Sequence, residues 1–486
     1  MYHTLQIQVK QRNPLYAYLE RTSHLANNLY NAGLFRCRQL ITASKKEQKD
    51  LTENEKKVIK EFSTAFPDMK YSFGYASLDR VMRANHNPDF FAEGLSKQTA
   101  QHVLKQVARD VKGFFASLNA YKQNPSVFMG KPNIPGYHRK GGLSTITFTN
   151  QDCVLYSDDD TSYMKFPGTK ERLNVGKCPV DGRLKEVKAK PYHNIFIVYL
   201  TFDDGKPEPV MKEHPERICA IDFGVENLAA ITNNVGLPCL LFKGGVLKSQ
   251  NQWYNKRMAN IASKQTIGTT DKFQPTTESQ VVCLKRENQV VDFSRKLCKR
   301  IVDWCVQNNI DTIVVGNNPG WKQNSDMGKK SNQEFVQLPF GRIIQMLELK
   351  ALQNGIRVMK QEESYTSKAS YLDNDPIPVC GENDNDAVFS GKRRPYKYKG
   401  VSQKDGYRGL YTSKDGSVIN SDLNGSANIG RKALPELFTG VVDFSSVIVI
   451  KHPDYDSRKE NGKKQKANAK PSKSKARRLA AKALKK

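Results

Sequence analysis

RICAIDFGVENLAAITNNVGLPCLLFKG, residues 217–244, is the stretch that decides the fold. Its three apolar runs, RICAID, NLAAITNN and LPCLLFKG, are separated by a few turn residues, the spacing of three closely connected strands. Asp222 closes the first run and is followed by Phe and Gly. A carboxylate at the carboxyl end of a strand, beside a glycine that admits a ligand, suits a divalent cation; it could equally be a turn aspartate. Downstream, residues 246–309 pattern as helix and DTIVVGN (311–317) as a buried strand. EFVQLPFGRIIQMLELKALQN (334–354) reads as a helix capped by Gly355, and IRVMKQEE (356–363) as a fifth strand. Residues 364–417 are Gly- and Asp-rich and irregular, and SDLNGSANIGRKALPEL (421–437) resumes a helix. Three meander strands followed by alternating helices and strands is the order of an RNase H-like α/β core.

Upstream the texture differs. TLQIQVK (4–10) predicts a strand, and residues 14–122 pattern as helix, with Val103, Val107, Val111 and Phe115 on one face. GKPNIPGYHRKGG (130–142) is a basic loop, and STITFT, VLYS, YMKFPG, LNVG and NIFIVYLTF are short strands. This set predicts a β-barrel completed by the N-terminal strand, with the helical block inserted into it.

The 486 residues carry 77 Lys+Arg against 49 Asp+Glu, a net charge of +28. The 38% hydrophobic content supports packed cores, so wholesale disorder is excluded. Such an excess on folded domains implies a polyanionic partner, with nucleic acid the default. Residues 451–486 hold 14 Lys+Arg and three acids, a net +11 on a segment whose composition predicts a disordered basic tail. No apolar run reaches the roughly 20 residues of a membrane helix, and MYHTLQIQVKQRNP lacks a secretory pattern. The nine cysteines are odd in number and form no CxxC pair, which predicts reduced thiols, a cytoplasmic protein and no zinc ribbon. His102, His138 and His193 lack ligand spacing and read as surface or structural residues, and Trp253 and Trp321 as packing residues. No glycine pattern forms a P-loop or a dinucleotide fingerprint.

Three further acids stand out. Asp422 begins the last helix, where it could be an N-cap, and Glu362 and Glu363 end the fifth strand, where they could be solvated. Taken with Asp222 they acquire a sharper meaning. Carboxylates held close repel each other unless cations bind between them. Hard Mg2+ prefers oxygen ligands and keeps room for phosphate oxygens, and two such ions can drive phosphodiester hydrolysis.

IDFGVENLAAI (221–231), LKSQNQWYNKRMAN (247–260), GIRVMKQEESYTSKAS (355–370) and INSDLNGSANIGRKAL (419–434), in this order, resemble the RuvC motifs of TnpB proteins. These are transposon-encoded RNA-guided DNA nucleases, related to compact type V CRISPR effectors. The resemblance covers residues 217–435, and the 130–142 loop before a strand block fits the family's wedge barrel. It implies an α+β multidomain protein. A wedge β-barrel (1–13 and 123–216) would carry an inserted helical recognition lobe (14–122), followed by an RNase H-like RuvC nuclease domain (217–435) and the tail. By position Asp222 matches the first catalytic carboxylate and Asp422 the third.

The chain departs from the family at two places. The second carboxylate is usually a glutamate ending the fourth strand, where TIVVGNNPGWKQ (312–323) has Gly316. Either the nuclease is dead and the protein is an RNA-guided DNA-binding repressor, or another glutamate serves. Relatives with a rearranged site resemble this chain in placing Glu three residues before the Thr of the TS pair, which is Glu363. Successive strand residues face opposite sides, so Glu362 is the alternative and the two cannot both line the site. Second, the family's paired CxxC motifs are missing: Ala369 and Ser370 stand where the first begins, and only Cys380 follows. The insert 364–417 carries KRRPYKYKGVSQKDGYRG (392–409) instead. Here Arg393, Arg394, Lys397, Lys399 and Arg408 could neutralise phosphate while Tyr396, Tyr398 and Tyr407 stack on unpaired bases. Lys368, in the YTSK signature, is a further phosphate candidate.

The resemblance therefore implies a guide RNA, double- and single-stranded target DNA, two Mg2+ (or Mn2+) ions held by Asp222, Glu363 and Asp422, and no zinc. It also implies a prokaryotic, nucleoid-associated protein acting as a monomer or as a homodimer on one guide, with no membrane partner. A guide-independent resolvase or transposase is a weaker reading, because 216 residues precede the nuclease core.

Overall fold

The computed structural model of the chain describes residues 1–68, 70–158, 160–177, 182–268, 272–318, 333, 336–381, 387–393, 397–398, 401–402 and 409–454. The chain forms two compact units, Met1–Pro207 and Glu208–Lys486.

In the first unit, strand β1 (Tyr2–Lys10) is followed by four helices: α1 (Leu15–Ala43), α2 (Glu53–Ala65), α3 (Tyr75–Ala84) and α4 (Lys97–Gln123). Six strands follow: β2 (Ile146–Thr149), β3 (Val154–Asp158), β4 (Thr161–Lys165), β5 (Arg172–Gly176), β6 (Arg183–Tyr192) and β7 (Ile195–Asp203). Val103, Val107 and Val111 recur every fourth residue of α4, so they share one face and are buried against α1 and α3. Phe115 is half-buried and packs against the same cluster, and its neighbour Phe114 is also buried.

The N-terminal strand does pair with the last one: β1 runs antiparallel to β7 from Tyr2 opposite Asp203 to Lys10 opposite Ile195. Among the described residues the strands form two sheets, β1-β7-β6-β2 and β3-β4-β5, and no ladder joins these into a closed cylinder. Both sheets bury side chains in one core, with Val9, Phe148, Val187 and Phe202 from the first and Met164 and Leu173 from the second. Strand β6 is absent from the sequence reading. Its pattern is broken by a register shift between Leu184 and Glu186, which spoils the two-residue period by which a strand is recognised.

The second unit is built on a six-stranded sheet ordered β12-β11-β8-β9-β10-β18. The strands are β8 (Ile218–Asp222), β9 (Asn227–Asn233), β10 (Cys239–Lys243), β11 (Thr312–Gly316), β12 (Arg357–Gln361) and β18 (Val447–Ile450). The first three are antiparallel neighbours, while β11 runs parallel to both β8 and β12. The fourth core strand therefore neighbours the first and the fifth lies one further out. β18 extends the sheet past residue 435, where the sequence reading ends the nuclease core. It is a parallel edge strand on β10 with Val447, Ile448 and Val449 exposed.

Helices α5 (Gly245–Thr266), α6 (Thr277–Gln307) and α7 (Phe340–Leu352) precede α8 (Ser421–Ala433). The single helical stretch read over 246–309 is thus two helices. Of the helix expected over 334–354, α7 covers Phe340–Leu352; Gln333 and Val336 are also helical, and residues 334–335 lie outside the described residues. Helix is interrupted just before Pro339, which disfavours helical conformation in the residue before it. Strand alternation sorts the sheet's two faces. Cys219, Ile221, Ile313 and Val315 pack with α6 and α7, and Ile218, Ala220 and Val314 pack with Ala427 and Ile429 of α8. Short strands β13 (Lys392–Arg393), β16 (Leu410–Thr412) and β17 (Val418–Asn420) form a small sheet, and β14 (Lys397–Tyr398) pairs with β15 (Val401–Ser402). Of the described cysteines only Cys380 is exposed. No described helix is long and apolar enough to cross a membrane.

Candidate metal and nucleic-acid site

The site lies where β8, the end of β12 and the first turn of α8 meet. Asp222 is the last residue of β8. Burial first, then the charges of Asp422 and Glu363, hold its carboxyl well above the usual range, with Arg393 opposing them. Asp422 occupies the first turn of α8, but capping falls to Asn420, whose side chain accepts from the amides of Asp422 and Leu423 at 3.0 and 3.2 Å. That releases the Asp422 carboxylate from the helix end. It accepts instead from Asn227 Nδ2 at 2.7 Å, and Lys243 Nζ donates to Asn227 Oδ1 at 2.6 Å, which fixes the amide's orientation.

The two glutamates point apart. Glu362 pairs with Lys432 Nζ at 2.6 Å. Burial would raise its carboxyl, but Lys432 and Ser364 outweigh this and leave it lowered. Glu363 turns inward: its amide donates to Asn318 Oδ1 at 3.1 Å, and burial, aided by the charge of Glu362, pushes its carboxyl up to about 7. Gly316 is the residue that makes this possible. Gln361 lies opposite Gly316 in the β11–β12 ladder, and Glu363, two residues beyond, folds its carboxylate into the space above that glycine. A β-carbon at 316 would collide with Glu363 Oε2 and lie 2.7 Å from Ile429 Cδ1. Gly425 does the same for the first acid, since a β-carbon there would stand 2.6 Å from Asp222 Oδ2. Thus the glycine at 316 and the inward turn of Glu363 are two sides of a single packing arrangement.

Sequence reasoning missed the residues that hold this arrangement. Asn424 and Asn428 of α8 are fully buried, and their amides donate to the carbonyls of Ala369 and Thr366 at 2.8 and 2.9 Å. Thr366 Oγ1 in turn donates to the Glu363 carbonyl at 2.9 Å. Ser426 Oγ donates to the Ala220 carbonyl at 2.8 Å, tying α8 to β8. The signal was available, as polar residues at four-residue spacing on the apolar face of NGSANI must find buried partners. Tyr365 adopts φ +62°, a left-handed conformation unusual for a bulky residue, at the turn between Glu363 and this clamp.

Among the other predicted residues, Arg393 is drawn in: its Nη2 lies 3.5 Å from Asp422 Oδ1. Lys368 is exposed, with its Nζ 5.1 Å from the Tyr365 ring. Lys397 and Tyr398 lie in the β14–β15 hairpin. Arg394, Tyr396, Lys399, Tyr407, Arg408 and Trp321 lie outside the described residues, as does the tail from 455. Trp253, read as a packing residue, is 40% exposed with Lys285 Nζ 4.7 Å from its ring. His138 stacks on Tyr30 at 3.9 Å, a structural contact.

Three hard oxygen donors, one with its carboxyl raised first by burial and then by its neighbours' charge, are the donor set that a divalent cation relieves. They are not a formed cage. Among the described residues no three His, Cys, Asp or Glu side chains converge tightly enough to chelate an ion. The residues therefore fit a cation bound together with further oxygen ligands, such as water or phosphate.

Two family models match the chain. One is described as OrfB_IS605, a probable transposase, over residues 203–322, and the other as the Cas12f1-like TNB domain, over 340–429. The TnpB-like protein ORF457 of Acidianus two-tailed virus is 23% identical over 261 residues, 53% of this chain and 49% of that protein. The chain thus spans about half the length of that curated relative. Among solved structures, a Cas12f1–sgRNA–target DNA complex is 16% identical, covering 89% of this chain and 100% of that one at a TM-score of 0.32. A CRISPR-Cas12f ternary complex is 13% identical, with 84% and 80% covered and a TM-score of 0.32.

Proposed function

We propose that this chain, related to the TnpB-type proteins through its segments 203–322 and 340–429, is an RNA-guided DNA endonuclease. It would bind a structured guide RNA and cleave complementary DNA beside a short flanking motif in one RuvC-type site. The observation that carries the nuclease over the repressor is the Glu363 carboxylate occupying the space above Gly316, on the side of the sheet where Asp222 and Asp422 stand.

Asp222, Glu363 and Asp422 are the residues that would hold two Mg2+ (or Mn2+) ions. When bound, such ions neutralise phosphate charge and lower the pKa of water for in-line attack. The chain's own residues orient the acids. Asn227, held by Lys243, keeps Asp422 in one rotamer, and the Asn424–Asn428–Thr366 clamp fixes the backbone of Glu363. Arg393, beside Asp422, presents a guanidinium to a phosphate of the strand being cut. The products would carry 5′-phosphate and 3′-hydroxyl ends, with the two strands cut in succession.

Residues 1–13 and 123–216 are assigned to a wedge domain, 14–122 to a recognition lobe and 217–435 to the nuclease. Residues 364–417 would load single-stranded DNA without zinc, and the basic tail 451–486 would add sequence-independent affinity. Protein contacts would read the flanking duplex while base pairing reads the target. The test is cleavage by protein purified with the RNA that accompanies it, on matched and mismatched DNA, with Mg2+ or chelator. Metal-dependent cutting of matched DNA alone is expected. Guided binding without cutting would establish the repressor, and cutting without RNA would remove the guide.

A further inference from the structure

In the first unit, well away in sequence from the acids, α4, the start of α3 and the residues just before it line an open cavity of about 440 Å³, within the size range of small-ligand pockets. Its walls are the rings of Phe73, Tyr75 and Phe115, all half-buried, and its rim is Lys105, Arg109 and Lys112, all exposed. The three cations recur at four- and three-residue spacing, so they form one stripe along α4. Phe73 and Phe115 stand 5.6 Å apart with planes tilted by 36°, and Lys105 Nζ lies 5.1 Å from the Tyr75 ring.

None of the three cations pairs with a carboxylate among the described residues. The acids close by are engaged elsewhere. Asp79 pairs with Arg83 at 2.9 Å, and Asp110 accepts from Tyr30 and Gln106, each at 2.7 Å. No side chain caps the start of α3 at Gly74, which also lines the cavity, so its first-turn amides add positive potential there. Arg109 Nη1 also donates to Gln106 Oε1 at 3.3 Å, which leaves its charge uncompensated. Half-buried aromatic faces beside cations with no carboxylate partner fit one chemistry: a planar base against the rings and its phosphate against the stripe. A second copy of this chain fits poorly. A two-fold contact would set the same three cations against themselves.

We infer that this cavity binds an unpaired nucleotide of single-stranded nucleic acid, a contact separate from the nuclease site. The inference rests on the chain being a nucleic-acid-binding protein, and the test separates the two. Unstructured RNA 12-mers carrying 5-iodouridine, and matching DNA 12-mers carrying 5-iododeoxyuridine, are photocrosslinked to the full chain, and the modified peptide is mapped by mass spectrometry. Crosslinks in residues 71–78 or 113–118 are expected. Phe73→Leu with Phe115→Leu keeps apolar bulk and should weaken binding about tenfold. Lys105→Gln, Arg109→Gln and Lys112→Gln together should make the slope of log K against log salt shallower by about 2. Thermal melting confirms that each variant folds.

The RNA and DNA arms show which strand supplies the nucleotide. Wild-type binding with no crosslink in either segment and unchanged affinity in both variants overturns the pocket alone, and absence of binding by the wild type overturns both readings. Self-association that the leucine variant abolishes, with oligonucleotide binding intact, would assign the cavity to a second copy.

Discussion

Gly316→Ala tests the site most directly, because it adds one carbon atom and no charge. Its β-carbon would lie 2.7 Å from Ile429 Cδ1, against an ordinary contact of 3.4 Å or more, so Ile429 must retreat by about 0.7 Å. The Glu363 carboxylate oxygen is closer still and is the freer of the two to leave. Overpacking of a core costs about 1–3 kcal/mol. Alanine returns about 0.4–1 kcal/mol by restricting the unfolded chain, because the backbone at 316 is ordinary strand. Net destabilisation should therefore be modest, between about 0 and 2.6 kcal/mol.

Catalysis should suffer far more. Displacing a metal-binding carboxylate by about 1 Å costs on the order of 100-fold in rate. The assay is single-turnover cleavage of matched DNA in saturating Mg2+, with retention of the copurifying RNA as the control for folding. The transplant Gly316→Glu with Glu363→Gly returns a carboxylate from the neighbouring strand, and should cut at least tenfold faster than Glu363→Ala. Cleavage by Gly316→Ala within threefold of wild type would refute the reasoning, since the carboxylate could not then be working from the space above residue 316.

Glu363→Ala should abolish cleavage with RNA binding intact. Glu362→Gln should leave cleavage near wild type and lower stability by about 1–3 kcal/mol, because Lys432, 8% exposed, loses its carboxylate; the opposite pattern would exchange their roles. Without metal, Glu363 is pushed up to about 7 from its ordinary 4.5, so the folded state binds that proton more tightly than the unfolded state. Its contribution to stability is therefore present at low pH and falls as pH rises from about 4.5 through 7. The gain in melting temperature on adding Mg2+ should accordingly grow from pH 5 to pH 8, and an identical profile in Glu363→Gln would exclude this carboxyl as the cause. Truncation after residue 450 should weaken salt-sensitive binding and keep guided cleavage. Truncation after 446 removes β18, bares the β10 edge and should aggregate; equal solubility of the two would show that the edge strand is dispensable.

The sequence by itself determined the order of the core strands, the RuvC-like motifs and the large positive charge. Each is written in local patterns: apolar runs of strand length, acids at strand and helix ends, and net charge. It also bounded the second carboxylate to two neighbours, since adjacent strand residues face opposite ways. It could not show strand β6, whose period is broken by the register shift at Leu184, nor edge strand β18, which depends on β10 some two hundred residues earlier.

Only the tertiary structure decided which glutamate turns inward. That choice depends on Lys432 drawing Glu362 away and on the empty space above Gly316, contacts between residues far apart in the chain. The same holds for Asp422, freed because Asn420 takes the cap, and for Asn424 and Asn428, which look like helix-weakening polar residues until their partner carbonyls are in place. A glycine that reads in sequence as a missing glutamate becomes, in three dimensions, the room the Glu363 carboxylate occupies, because side-chain volume acts across strands and not along them.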